Sequence, residues 1–206
     1  MLRAVKQPIH DLPSGYVQVR HLVLLEPGNL LRLNLAALLP LATSFVLMAG
    51  WMALVLRWRG ARPGGLGVDW AWWVWLALIF VGSIVIHEGL HGAAIRWTGH
   101  RPRYGMMLSK AAFYATADRA LFRRGEFIVV ALAPIVGITL GGMALMPLLS
   151  DTAAYYVALG VVLNAGNSIG DLWMTAAVLR YSPQALVRDE ADSIRIYEPA
   201  PPLNYM

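Results

Sequence analysis

Four long apolar runs dominate the hydrophobic pattern of the chain: Leu33–Leu56, Trp70–Ile95, Phe127–Leu149 and Thr152–Leu179. Each reaches or approaches the roughly 20 residues an α-helix needs to cross the hydrocarbon core of a bilayer. Outside them the pattern shortens. Tyr16–Leu25 alternates partially in Val and Leu and stops at Glu26-Pro27-Gly28-Asn29, which predicts a strand and a turn. Arg103–Thr116 predicts a hairpin with Phe113–Thr116 as one strand, and Asp118–Gly125 a short interfacial helix whose arginines sit near headgroups. The fold class is therefore mainly α: a multi-pass membrane protein with about four transmembrane helices and a small β element, the N-terminal strand and the cytoplasmic-loop hairpin. A single membrane-embedded domain is expected over residues 1–206, with a cytoplasmic segment at 1–32, a four-span core at 33–179 and a cytoplasmic tail at 180–206.

Composition agrees and narrows the class. Hydrophobic residues make up 58% and charged residues 14%, against roughly 25% charged in a soluble domain. Before Leu33 the chain carries Arg3, Lys6, Arg20 and Arg32 and no long apolar segment, so the first span is expected to act as its own insertion signal. There is no cysteine. That excludes a disulfide framework and a thiolate metal site, and leaves His and carboxylate as the metal ligands on offer.

Charge orients the spans. With the N-terminus in the cytoplasm, fourteen of the seventeen basic residues fall inside, and only Arg57, Arg59 and Arg62 fall outside. This positive-inside bias places both termini and the 96–125 loop in the cytoplasm, and the expected location is a prokaryotic cell membrane. The net charge of +5 then points to membrane lipids with anionic headgroups as a partner, and not to nucleic acid. Trp70, Trp72, Trp73 and Trp75 form an aromatic belt at the outer face.

Of the acidic residues, Glu88 and Asp171 alone lie well inside the runs. A carboxylate in hydrocarbon costs about 2.5–3.5 kcal/mol on insertion scales, so such residues mark a task. Glu88 belongs to His87-Glu88-Gly89-Leu90-His91, at the end of the second run. On a helix the two imidazoles leave one face a turn apart and can grip one Zn²⁺, with Glu88 beside them as the catalytic base. Asp171 comes out at similar depth in the fourth run, and three protein ligands, His87, His91 and Asp171, leave the open position of a catalytic zinc site. Glu126 is the rival third ligand, set among the interfacial charges Arg123 and Arg124, and His100 belongs to a basic loop where solvation is expected. Asn164 and Ser168 share a helical face with Asp171, with Asn167 at its edge. They fit either a role around the metal ligands or the substrate, or plain hydrogen bonding between helices.

These motifs recur in order in a family. His87-Glu-Gly-Leu-His91-Gly, Ala112-Phe-Tyr-Ala-Thr-Ala117, Ala131-Leu-Ala-Pro134, Gly170-Asp171-Leu, Ala185-Leu-Val-Arg-Asp189 and Ile194-Arg-Ile-Tyr197 make the chain resemble the zincin peptidase membrane family, a domain family of unknown function related to site-2 protease type intramembrane metalloproteases. The resemblance implies a multi-pass zincin-like domain with His87, His91 and Asp171 on zinc and Glu88 as general base. It departs from the site-2 group around Asp171, which follows Gly170 and precedes Leu172 with no proline nearby. The expected function is a membrane-embedded zinc metallopeptidase acting on a peptide or membrane-protein substrate. Three alternatives stand beside it: a metal-stabilised binding or chaperone protein, a membrane hydrolase of a non-protein substrate, and a metal transporter, which would need a second polar cluster toward the outer face.

Overall fold

The computed structural model describes residues 7–24, 26–61, 69–107, 112–117, 119–190 and 193–201. Arg3, Lys6, Leu25, Arg62 and Asp118, which carried parts of the expected topology, lie outside the described residues. Among the described residues the helices are α1 (Pro27–Arg59), α2 (Trp70–Trp97), α3 (Arg124–Leu145), α4 (Asp151–Asn167) and α5 (Ile169–Val178). The strands are β1 (Tyr16–Val23), β2 (Arg103–Met107), β3 (Ala112–Thr116), β4 (Leu121–Arg123), β5 (Leu186–Asp189) and β6 (Ser193–Pro199). Helices α1, α2 and α3 are long and apolar enough to cross a membrane, and most of their side chains face outward. Leu39, Phe45, Val46, Val85 and Leu140 are among the large apolar side chains exposed on them, a surface suited to lipid and not to water.

The fourth run is not one uninterrupted helix. It breaks into α4, 17 residues long, and α5, 10 residues long. Ser150 caps the start of α4, its side chain accepting from the Ala153 N–H, and Asp151 in the first turn complements the helix dipole. At the break Ser168 has ψ near 6° and its hydroxyl donates back to the Asn164 carbonyl at 2.9 Å. Gly166 and Gly170 flank it, so helix propensity is lowest where a serine offers the backbone an alternative bond.

The chain divides into two units, one comprising Leu31–His87 and Pro134–Ile169, the other Met1–Leu30, Glu88–Ala133 and Gly170–Met206. The first is helical. Met48, Met52, Leu56, Met146, Ala154, Val161 and Val162 form its core. A Cβ on Gly142 would collide with Val161, so the glycine permits α3 and α4 their close approach. Two polar latches serve this unit. Trp51 Nε1 donates to the Met143 carbonyl at 2.9 Å, and Arg59 reaches both the Asp151 carboxylate and the Met146 carbonyl at 2.8 Å.

The second unit is built around an antiparallel sheet in the order β1-β6-β5-β4. Successive residues of a strand face opposite sides, and here both sides are covered. Phe122, Val187, Ile194 and Ile196 join Ala94, Ile95, Phe127, Val130, Met174 and Val178 in one cluster, while Leu121, Leu186 and Tyr197 pack with Ile9 and Tyr16 in another. The sheet therefore exceeds the expected N-terminal strand, drawing three further strands from the loop and tail. The interfacial helix expected at 118–125 is overturned: Leu121 and Phe122 are fully buried and Leu121–Arg123 pairs with β5. Burial of two large apolar side chains outweighs the helix-favouring arginine pattern. The expected hairpin is present as β2 paired with β3, with Tyr114 lying over Gly105 and Tyr104 against Gly92.

Candidate metal centre

Helix α2 runs unbroken through the His-Glu-x-x-His segment, so His87 and His91 emerge one turn apart on the same face. Both are buried, at 8% and 7% exposure. Asp171 arrives from the first turn of α5, directly after the break at Ser168, where the positive end of a helix dipole faces its carboxylate. His91 Nε2 lies 3.4 Å from Asp171 Oδ1. One ligand atom from each of His87, His91 and Asp171 can be chosen so that all lie within 4.8 Å of one another.

The donor chemistry tests whether these residues suit a zinc ion. His87 Nδ1 lies 2.9 Å from Asn164 Oδ1, and His91 Nδ1 lies 2.9 Å from the Val130 carbonyl. With Asn164 oriented to present its oxygen, both partners are acceptors, so each Nδ1 carries a proton, and in the neutral ring each Nε2 keeps its lone pair for a ligand. Such bonds to the far nitrogen are the usual support of a metal-binding histidine. Two ligands on a tetrahedral zinc stand about 3.3 Å apart, which is close to the His91–Asp171 separation of 3.4 Å. The residues fit the ion.

The other expected residues separate. Asn164 is 1% exposed, and its Nδ2 donates to the Pro134 carbonyl at 3.4 Å, which gives the amide its orientation toward His87. Ser168 is buried but spends its hydroxyl on the Asn164 carbonyl, the plain helical role. Asn167 is exposed. Glu88 is half-buried and adjoins His87 in α2. Glu126, the rival ligand, accepts from the Arg123 backbone and guanidinium at 2.9 Å and closes the start of α3 instead. His100 is 4% exposed and not solvated, bonded through its ring nitrogens to Thr98 and to the Ile9 carbonyl. Burial holds it below the ordinary histidine range.

The Val130 carbonyl escaped the sequence reading, since every residue carries a carbonyl and side-chain identity does not show which one is available. The signal that could have found it is a proline four residues on, in the middle of a helix.

The family model described as "Putative zincin peptidase" matches residues 80–186, more than half of the chain, and the chain belongs to this family. The matched stretch contains His87, Glu88, His91, Val130, Pro134, Asn164 and Asp171. No curated protein and no solved structure matches the chain.

Proposed function

We propose that the chain is a membrane-embedded zinc metallopeptidase that hydrolyses a peptide bond in or near the bilayer. The observation that carries this is the convergence of His87, His91 and Asp171, with both imidazoles held through Nδ1. When bound, zinc supplies Lewis acidity toward a water and a scissile carbonyl. Glu88 takes the proton of the attacking water and delivers it to the leaving nitrogen. Asn164 and the Val130 carbonyl keep the imidazoles aimed, and the burial of both histidines limits the water that competes for the site.

We read α4 and α5 together as a fourth, broken membrane passage. The sheet supports this. Its strands β1, β4, β5 and β6 pair with one another, so they lie on one side of the bilayer, and the chain crosses an even number of times between any two of them. Helices α1 and α2 separate β1 from β4, and on this reading α4 and α5 return the passage made by α3 before β5. Both ends of the described chain then share the cytoplasmic side with the basic 96–125 loop.

The test is the metal content of the purified protein in detergent. Wild type is expected to carry one zinc per chain, with His87→Ala and Asp171→Ala losing it under identical handling. A metal-free wild type with an intact fold would sink the proposal and return the chain to the binding-protein reading.

A further inference from the structure

Helix α3 contains Pro134 in its interior, fully buried. In an α-helix the N–H of residue 134 would bond to the carbonyl of residue 130. Proline has no N–H, so this bond is not made and the Val130 carbonyl is left without its helical donor. That carbonyl is the one His91 Nδ1 meets at 2.9 Å. The carbonyl of Pro134 itself accepts from Asn164 Nδ2 at 3.4 Å, and Asn164 Oδ1 meets His87 Nδ1 at 2.9 Å. One proline thus lies behind the orientation of both imidazoles, through the bond it cannot make and through the carbonyl it presents.

We infer that Pro134 is a positioning residue, kept in α3 to free the Val130 carbonyl as the acceptor that fixes the ring and tautomer of His91. A helix tolerates such a gap when another group satisfies the freed carbonyl, and here that group is the imidazole. The purpose of the orientation rests on the proposed metal centre; the orientation itself does not.

Two substitutions in the full-length protein separate the missing N–H from the shape of the ring. Pro134→Ala restores the donor, and replacing residue 134 by lactic acid, which makes a backbone ester, removes it again without the ring. The first readout is ¹⁵N NMR of labelled histidine in metal-free protein. Wild type and the ester are expected to show His91 with a slowly exchanging Nδ1 proton, whereas Pro134→Ala loses that protection while its melting temperature is not reduced. The second readout is metal affinity by competition with a chromophoric chelator, together with the visible spectrum of the Co²⁺ form. Pro134→Ala is expected to bind about 10–100-fold more weakly, as supporting groups of metal ligands do when lost, with an altered cobalt spectrum that the ester restores. Unchanged His91 protection in Pro134→Ala, or an ester that behaves like alanine, would overturn the inference. Metal-free wild type with the NMR pattern as expected would overturn the metal centre and leave the positioning role standing.

Discussion

The two units hold their histidines by different means. In the helical unit His87 is held by a side chain, Asn164, seated in turn on the Pro134 carbonyl. In the sheet-containing unit His91 is held by the backbone carbonyl of Val130. A side-chain support can be deleted by a single substitution. A backbone support survives any substitution at its own position and yields only to a change that alters the helix ladder. The same chemical task therefore has one holder exposed to mutation and one shielded from it.

The largest expected effect lies at Glu88, where the middle stretch of the sheet-containing unit begins. Glu88→Gln is expected to retain zinc and lower hydrolysis by about 10²–10⁴-fold, the usual contribution of a general acid–base. Peptidase assays with parallel metal analysis check this, and a glutamine variant cleaving at the wild-type rate would remove Glu88 from the mechanism. The next effect sharpens the comparison directly. Asn164→Ala should weaken zinc binding by about 10–100-fold, while Val130→Ala, which keeps its carbonyl, should leave zinc affinity within a few-fold and lower only the melting temperature. Equal losses of affinity in the two variants would erase the distinction between the holders.

The smallest effect concerns His100, buried in the sheet-containing unit and shifted below the ordinary histidine range chiefly by desolvation. The sign follows from linkage: the unfolded chain gains the proton first, so the stability His100 contributes is complete above about pH 6.5 and is lost as pH falls below it. Melting temperatures at pH 7.5, 6.5 and 5.5 should decline more steeply for wild type than for His100→Gln. Parallel curves would show that the ring is not a source of the pH dependence.

How much of this was legible depended on what kind of atom carried the information. The helices α1, α2 and α3 could be read from apolar length alone, and the meeting of His87, His91 and Asp171 from their residue types and depth. The break at Ser168 could not, because a serine in an apolar run reads equally as a helical residue until its hydroxyl is seen on the Asn164 carbonyl. Strands β5 and β6 are only 4 and 7 residues long. The alternation in Ile194-Arg195-Ile196 is genuine but short, and β1, which completes the pairing, lies at the other end of the sequence. Arg123 and Arg124 drew attention to an interfacial helix, while the neighbouring Leu121 and Phe122 decided for a strand.

The pairing of β1 with β6 also sets an order in time. Val23 pairs with Ser193, about 170 residues later, and a ribosome adding roughly 5–20 residues per second needs on the order of 10–30 s to supply that partner. Until then β1 waits as an open edge, a template for any extended segment nearby. The helices between them are synthesised and available for insertion before the sheet can close, so β6, translated after all of them, completes a structure whose strand β1 was translated before any of them.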